Sequence, residues 1–252
     1  MQPAVQKKLL ELNQQFYQIF GTAFAATRRR IQPGVRRVLE NIPKTGNWLD
    51  LGCGSGALAL TWAAQGRVGM YHGLDFSAEL LSEARKELEQ TAVPAGLQIG
   101  FDQVDLGSPE WEKAARRLEY DGVLAFASLH HLPGAEKRLE LMRQVHGLIR
   151  TGGLFIHSEW QFQHSPKLRA RVQPWERVGL TDADVEPGDT LLDWRYALPG
   201  QPERDGLRYV HLFSQTELEV LATESGFRVV ETFASDGQGG RLGLYQIWQK
   251  VD

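Results

Sequence analysis

Apolar and polar positions alternate in short blocks along the chain, and the first clear block contains the stretch NWLDLGCGSG. Apolar side chains at Trp48, Leu49 and Leu51 are typical of a short buried strand. Further apolar residues within 58–62 have the spacing of one helix face. The pattern therefore predicts a strand, a turn and a helix, beginning near residue 47.

The same alternation continues to the end of the chain. The further predicted strands are MYHGLDFS, ending in Asp75; LQIGFDQVDL, ending near Asp105; Asp121–Phe126; GLFIHSEW; and the final pair FRVVETFASD and RLGLYQIWQK. The predicted helices are AELLSEARKELEQ, capped by Ser77; a short one opened by Ser108 and Pro109; EKRLELMRQVHGLI, ending near Gly152–Gly153; and one that a Ser214/Glu217 capping box opens and that stops before Gly226. Strands and helices in this order predict a parallel sheet covered on both faces.

The composition is that of an ordinary globular protein, with 42% hydrophobic and 23% charged residues among 252. The sequence contains neither an apolar run of about 18 residues nor a signal-peptide pattern, so we expect a cytoplasmic protein outside the membrane. The single cysteine, Cys53, excludes an internal disulfide bond and a metal site built from several cysteines. No metal site is predicted.

Charge is distributed unevenly along the chain. Residues 1–46 have a net charge of +6, residues 47–150 of −4 and residues 151–252 of −5. We therefore expect a basic, helical N-terminal arm (1–46) followed by one domain (47–252). The arginines of the arm could bind an anionic partner or form the solvated face of a helix. They are concentrated in TRRRIQPGVRR: Arg28, Arg29, Arg30, Arg36 and Arg37.

Glycines mark the first junction between strand and helix. Gly52, Gly54 and Gly56 form a G-x-G-x-G loop, in which a tight turn can bring a ligand close to the main chain. The spacing differs from the dinucleotide pattern G-x-G-x-x-G, and the Gly-Lys-Ser/Thr of a phosphate loop is missing from this stretch. A plain corner without a ligand is the alternative interpretation.

Polar residues follow the next strands at the same edge of the predicted sheet. Asp75 ends the second strand, Asp105 the third, and Ala127–His131 follows the fourth. Ligands of such sheets lie beyond the carboxyl ends of the strands. An acid after strand two can accept hydrogen bonds from both ribose hydroxyls, and an acid after strand three can accept one from the adenine amine. Either acid alone is better explained as a helix cap or a surface charge, but together they favour a nucleoside ligand.

The stretches LDLGCGSG, GLDFS and ASLHHLPG resemble the first motif, the ribose-binding acid and the fourth motif of the class I S-adenosylmethionine-dependent methyltransferases. The resemblance runs over roughly Trp48–Trp160 and again through the C-terminal hairpin. It implies a Rossmann-like α/β fold with a mostly parallel seven-stranded sheet, helices on both faces and an antiparallel C-terminal hairpin. The implied cofactor is S-adenosylmethionine, with S-adenosylhomocysteine as the product.

The same resemblance implies roles for individual residues. The three glycines would lie against the methionine end of the cofactor, Asp75 would bind the ribose, and Phe76 would contact the adenine. Asp105 would lie near the adenine amine, and Asp50 would order the loop or receive the ammonium group through water. The implied cofactor-binding residues are Asp50, Gly52, Cys53, Gly54, Gly56, Asp75, Phe76, Asp105, Leu106 and Ala127.

Two histidines follow the fourth strand and are candidates for a catalytic base. His130 and His131 could accept a proton from a hydroxyl acceptor, whereas a carboxylate or a neutral amine needs no base. Methyl transfer mainly requires alignment of the acceptor, the methyl group and the sulfur, with water excluded. The favoured alternative is that both histidines shape the pocket or pack locally.

Residues 160–213 form an insertion rich in Trp, Arg, Tyr and His. Such residues can stack on bases and pair with phosphates, but they also build lids over small substrates. Composition alone favours the lid. A small-molecule methyltransferase and a non-catalytic binding module are therefore kept as alternatives.

Three longer stretches give a narrower resemblance. FYQIFGTAFAATRRRIQPGVRRVLE, GDTLLDWR and RYVHLFSQTELEVLATESGF are similar to segments of the tRNA wobble-uridine carboxymethyl methyltransferases, which esterify a carboxymethyl group on uridine. The chain departs from that family between Trp194 and Arg208, and it has only Asp236-Gly237 where the family ends in a DNW-like motif. The resemblance implies tRNA as substrate and, as in eukaryotic members, a small zinc-binding activator subunit. The implied substrate-binding residues are Arg28, Trp160, Trp194 and Arg208, and the implied catalytic residues are His131, Arg195, Tyr209 and His211.

Overall fold

The computed structural model describes residues 1–26, 30–115, 119–196 and 204–251. The strands within these residues are β1 (Thr45–Leu51), β2 (Val68–Asp75), β3 (Leu97–Gln103), β4 (Tyr120–Phe126), β5 (Ile149–Trp160), β6 (Val172–Gln173), β7 (Asp189–Tyr196), β8 (Arg204–His211), β9 (Phe227–Ser235) and β10 (Gly243–Lys250). The α-helices are α1 (Pro3–Ala26), α2 (Pro33–Asn41), α3 (Ala57–Ala64), α4 (Ala78–Glu89), α5 (Ala135–Leu148), α6 (Pro166–Arg169) and α7 (Gln215–Glu224).

The larger sheet has the strand order β3-β2-β1-β4-β5-β10-β9. The neighbours from β3 to β5 pair in parallel, whereas β10 is antiparallel to both β5 and β9. The predicted Rossmann-like fold with a C-terminal hairpin is confirmed. Because the chain moves from β1 to β2 on one side and later to β4 on the other, the switch point of the sheet lies at the carboxyl end of β1.

Helices cover both faces of this sheet through two apolar clusters. On one face, α5 and α7 bury residues such as Leu141 and Leu218 against the strands. On the other, α2, α3 and α4 bury residues such as Val38, Trp62 and Leu81. One of the two hydrogen bonds of the predicted capping box of α7 is present: Ser214 Oγ accepts from the Glu217 amide at 3.1 Å. The Glu217 carboxylate contacts His211 instead of completing the box.

Two predicted boundaries were wrong. β3 ends at Gln103, so Asp105 lies in the following loop, where its carboxylate accepts from the Gly107 amide at 2.8 Å. α5 ends at Leu148 rather than near Gly152–Gly153, because Ile149 already pairs with Tyr120 of β4. The short helix predicted after Ser108 and Pro109 is present as a single 3₁₀ turn at Trp111–Lys113.

The insertion contains a second, antiparallel sheet of order β6-β7-β8, and α1 packs on it. Val5 and Leu9 of α1 are buried with Leu191 and Tyr209 of that sheet. The ring of Phe20 lies so close to β8 that a Cβ added at Gly206 would come within 2.4 Å of it. Within the basic arm, α1 is therefore packed against the insertion, whereas α2 packs on the larger sheet. The division of the chain at residue 46 stays a prediction.

Candidate active site

A cavity of about 630 Å³ lies at the carboxyl ends of β1, β2 and β4, below α1. Of the predicted cofactor-binding residues, Gly56 does not line this cavity; it lies at the N-terminus of α3 with a φ of 77°. The other nine all line it: Asp50, Gly52, Cys53, Gly54, Asp75, Phe76, Asp105, Leu106 and Ala127. The residues that the sequence pattern grouped at one sheet edge therefore share one wall.

The glycine loop needs glycine for two different reasons. Gly52 has a φ of 79°, and a Cβ there would lie 2.3 Å from Ser128 Oγ, so close packing excludes a side chain. Gly54 has a φ of 54°, but its Cβ would meet no atom within 4 Å. A side chain at Gly54 would thus enter the cavity, where the loop can approach a ligand closely.

Asp75 holds the loop from the end of β2. Its two carboxylate oxygens accept hydrogen bonds from the Gly54 amide at 2.8 Å and from the Ser77 amide at 2.9 Å. Burial raises the pKa of Asp75, although these amides oppose the shift. Each carboxylate oxygen can accept more than one hydrogen bond, so Asp75 can hold the loop and still accept from a hydroxyl in the cavity.

Asp50 is a buried acid at the end of β1. It accepts a hydrogen bond from the Tyr71 hydroxyl. Burial raises the pKa of Asp50 to about 7; the Tyr71 hydrogen bond lowers it, and the charge of Asp75 raises it further. A cation in the cavity would favour the ionised form of Asp50. Asp75 can accept hydrogen bonds from the hydroxyls of a ribose, Gly54 leaves space for a ligand, and Asp50 can face a positive charge. Together these features fit a cationic nucleoside such as S-adenosylmethionine.

Cys53 lies in the same loop and is buried. Burial raises the pKa of its thiol well above the ordinary value, and the charges of Asp50 and Asp75 act in the same direction. The side chain therefore stays a neutral thiol, which argues against a nucleophilic role.

One face of α1 forms the roof of the cavity, and the sequence analysis did not predict it. Gln14 donates to Asp105 Oδ2 at 2.9 Å, so the acid expected near the adenine amine is already held by the helix. The lining residues of this face have the spacing of successive helical turns, which is the signal that could have identified them. They are Leu10, Asn13, Gln14 and Tyr17.

His131 lines the cavity beneath this roof. Its Nδ1 lies 3.2 Å from the Tyr209 carbonyl oxygen, which can only accept, so Nδ1 carries the proton in the neutral ring. Its Nε2 therefore accepts from the Tyr17 hydroxyl, 2.9 Å away. Asn13 donates to both the His131 and the Tyr209 carbonyl oxygens, at 3.2 Å and 3.1 Å. In this structure Nε2 is occupied by Tyr17, so His131 is a poor candidate for a base.

A second buried polar group lies at the carboxyl end of β5 and was not predicted. Glu159 lines the cavity, and its oxygens lie 3.2 Å from His130 Nδ1 and 2.9 Å from His157 Nδ1. Burial raises the pKa of Glu159 well above its usual value and lowers that of His157 to about 3. His157 is therefore neutral, and its Nδ1 shares a hydrogen bond with Glu159.

Three of the predicted catalytic residues do not line the cavity. The Tyr209 hydroxyl donates to Asp189 Oδ1 at 2.7 Å, and His211 Nδ1 lies 2.7 Å from the same atom. Alternation along β8 explains this, because Tyr209 and His211, two positions apart, share a face, while Arg208, directly before Tyr209, faces the cavity. Arg195 pairs with Asp193 at 3.1 Å, also outside the cavity.

The predicted substrate-binding residues divide in the same way. Arg208 and Trp160 line the cavity, and the Arg208 guanidinium carbon lies 4.7 Å from the centre of the Trp160 ring. Trp194 lies outside it and packs on Phe16 and Phe20, with ring centres 5.9 Å and 5.4 Å apart. Arg28 lies outside the described residues.

A family model described as a methyltransferase domain matches residues 24–232. The match spans most of the chain, so the chain belongs to this family. The predicted enzyme class, a methyltransferase that uses S-adenosylmethionine, is confirmed.

Individual relatives and solved structures agree with the family. A protein of Encephalitozoon cuniculi named as a methyltransferase is 28% identical over 218 residues, which are 86% of this chain and 87% of that protein. The tRNA (carboxymethyluridine(34)-5-O)-methyltransferase of Schizosaccharomyces pombe is 22% identical over 233 residues, 86% of this chain and 89% of that protein. A SAM-dependent methyltransferase from Methanosarcina mazei superposes with a TM-score of 0.63 at 21% identity, covering 88% of this chain and 98% of the other.

The fold also matches a SAM-bound amino pentose methyltransferase from Micromonospora echinaspora, with a TM-score of 0.58, 19% identity and coverage of 91% and 97% of the two chains. None of the helices in residues 1–26, 30–115, 119–196 and 204–251 is both long and apolar enough to cross a membrane.

Proposed function

We propose that this methyltransferase forms a methyl ester on a carboxylate, and that the carboxylate belongs to a carboxymethyl group on a tRNA base. The observation that carries the proposal is the position of Arg208. Its side chain is only 4% exposed, yet it lines the cavity that also holds the glycine loop. A guanidinium there offers a planar fork of N–H donors, which matches the two oxygens of a carboxylate.

Aromatic rings hold Arg208 in place. Its guanidinium carbon lies 4.7 Å from the centre of the Trp160 ring and 5.4 Å from that of Phe16. Cation–π contacts of this kind restrain the guanidinium plane. An acceptor carboxylate bound to a restrained guanidinium would be oriented within the same cavity as the methyl donor.

The donor half of the cavity would bind S-adenosylmethionine with the residues already described. We assign Asp75 to the ribose, Phe76 to the adenine and Asp50 to the cationic end, while Gly54 leaves room for the methionine portion. When bound, this cofactor supplies an activated methyl group whose leaving group is a neutral thioether.

The chain's own residues would then have little proton transfer to perform. An ionised carboxylate already offers a lone pair, so no base is required. Arg208 holds the acceptor, and α1 covers the cavity and limits access of water. This division of work agrees with the occupied Nε2 of His131, and it leaves His131 as a residue that shapes the pocket.

Two observations support tRNA as the carrier of the carboxylate. The fission-yeast relative is named as a tRNA carboxymethyluridine methyltransferase. Arg30, within the basic stretch TRRRIQPGVRR, is exposed and lines the cavity, so a cation there can contact a phosphate of a nucleic acid. We include a small zinc-binding activator subunit in the proposal because the family resemblance implies one.

A small carboxylic acid is the second candidate acceptor, and a specific observation favours it. Arginines of the insertion are already paired with acids: Arg171 and Arg195 with Asp193, and Arg177 with Asp205. Paired arginines offer less to phosphates. The insertion would then act as a wall over a metabolite.

The test is to incubate the protein and methyl-labelled S-adenosylmethionine with tRNA that carries carboxymethyluridine, and separately with a mixture of small carboxylic acids. Label in the RNA that mild alkali releases as methanol supports the proposal, since esters hydrolyse under these conditions. Alkali-stable label would contradict ester formation. Label confined to the small acids would replace tRNA by the second candidate. Adding a purified activator subunit to a parallel reaction tests that partner.

A further inference from the structure

Tyr17 spans the middle of the cavity from its position on α1. Its ring lies edge-on to Phe76 at 5.6 Å and edge-on to His131 at 5.5 Å between ring centres. Phe76 follows β2 and His131 follows β4, and β1 lies between these two strands in the sheet. Tyr17 therefore crosses the end of β1, where the glycine loop begins.

The hydroxyl end of Tyr17 points to the β4 side. It lies 2.9 Å from His131 Nε2, which in the neutral ring accepts because Nδ1 donates to the Tyr209 carbonyl oxygen. The hydroxyl proton is therefore directed at His131. Toward a ligand in the cavity, the Tyr17 oxygen can act as an acceptor and is made more negative by the hydrogen bond that it donates.

We propose that Tyr17 contacts the methyl donor directly, and that its hydroxyl oxygen accepts C–H···O contacts from the methyl group on the positively charged sulfur. The Tyr17 ring contacts Phe76, which we assign to the adenine, while its hydroxyl lies at His131, in the cavity that Arg208 and Trp160 also line. A sulfonium polarises its methyl hydrogens, which strengthens such contacts. The proposal rests on the assignment of the donor and not on tRNA as the acceptor.

Tyr17→Phe tests the contact with the full chain and without any acceptor. Calorimetry would measure the dissociation constants of S-adenosylmethionine and S-adenosylhomocysteine, which differ by the methyl group and the charge. We expect the variant to lose about two- to fivefold in affinity for S-adenosylmethionine, with little change for S-adenosylhomocysteine. Because the acceptor is absent, failure of the carboxylate proposal cannot produce or hide this result.

Tyr120→Phe is the matched control. The Tyr120 hydroxyl is also hydrogen-bonded to a histidine, 3.1 Å from His72 Nδ1, but Tyr120 does not line the cavity. It should leave the ratio of the two dissociation constants unchanged.

If Tyr17→Phe leaves the ratio of the two dissociation constants unchanged, whether or not both affinities fall, Tyr17 only holds α1 in place and the proposal is overturned. If Tyr17→Phe does not fold, Tyr17→Leu removes the same hydroxyl oxygen with a smaller side chain. The proposal then requires the same fall in the ratio, and an unchanged ratio in that variant overturns it.

Discussion

Two walls of the cavity are built in different ways. The loop wall, residues 50–54 and 75–76, is held by backbone amides, such as that of Gly54 on Asp75, 21 positions away. The helix wall, made of Asn13, Tyr17, His131 and Arg208, is held by side chains. Its contacts join residues 114 to 196 positions apart.

The difference separates what is common to the fold from what is particular to this chain. A wall of backbone atoms depends on φ angles and close packing, so few substitutions preserve it. A wall of side chains from distant elements can be changed residue by residue while the sheet below stays intact. We therefore expect variants of the loop wall to act on the donor and variants of the helix wall, apart from those at Tyr17, to act on the acceptor.

Gly54→Val should have the largest effect, because its side chain would enter the cavity beside the ligand. We expect no detectable binding of S-adenosylmethionine by calorimetry in a protein that still melts cooperatively. Valine at a φ of 54° also introduces strain of about 1–3 kcal/mol.

Gly66→Val controls for that strain. Gly66 has a φ of 65°, a Cβ there would also meet nothing within 4 Å, and the residue does not line the cavity. It should bind the donor normally despite lower stability. Equal loss of binding in both variants would mean that strain, rather than the filled space, is responsible.

Asp75→Ala should weaken donor binding about ten- to a hundredfold, the effect of losing charge-assisted hydrogen bonds worth about 1.5–3 kcal/mol. The substitution should also lower the stability of the folded protein, because the amides of Gly54 and Ser77 lose their acceptor. A lower melting temperature should therefore accompany the weaker binding. Unchanged affinity in a folded variant would remove Asp75 from the ribose site.

Arg208→Lys should reduce kcat/KM for the acceptor by roughly tenfold, because lysine keeps the charge but loses the planar fork. The affinity for the donor should stay within about twofold, since Arg208 belongs to the helix wall. Arg177→Lys is the control, as Arg177 pairs with Asp205 and does not line the cavity. A parallel loss of donor affinity in Arg208→Lys would show that the two walls are not separable.

The sequence could predict the loop wall because its information is local. The strand, the glycines and Asp75 lie within about 30 positions, and their order alone places them at one sheet edge. The helix wall could not be assembled in this way, because Asn13 meets Tyr209 only after the insertion has folded against α1. The basic charge of residues 1–46 predicts an anion-binding or solvated arm, and it does not indicate that one face of α1 lines the cavity.

One part of the helix wall could have been predicted from the sequence, namely which residues of β8 face the cavity. Arg208, Tyr209 and His211 were all assigned to the site, although neighbouring side chains on a strand point to opposite faces. Applying that rule would have separated Arg208 from the other two. The structure places Tyr209 and His211 on the face away from the cavity, where both bind the carboxylate of Asp189.

Donor affinity should depend on pH through Asp50, whose pKa is about 7. A cationic donor favours the ionised acid, so affinity should fall by up to about tenfold from pH 8 to pH 6. Asp50→Asn should bind more weakly at pH 8 and lose most of this dependence. A pH profile that Asp50→Asn leaves unchanged would assign the dependence to another group.

The same shift predicts an opposite effect on stability. Because the pKa of Asp50 is higher in the folded protein than its ordinary value of 3.8, its contribution to stability is fully present below about pH 4 and is lost as the pH rises through 7. Asp50→Asn resembles the protonated form. Without the donor, its melting temperature relative to the unmodified protein should therefore rise between pH 4 and pH 8.

The smallest expected effect concerns Arg30, the exposed cation at the cavity. If tRNA is the substrate, a phosphate contact by Arg30 releases a counterion, and log Kd for tRNA rises with log salt concentration by roughly 0.7–0.9 per contact. Arg30→Ala should lower that slope by about one contact and leave donor affinity unchanged. Arg36→Ala removes an exposed arginine of α2 that does not line the cavity, and it should keep the slope closer to that of the unmodified protein. Equal slopes in all three proteins would make Arg30 part of a solvated surface, and the small carboxylic acid would become the better acceptor.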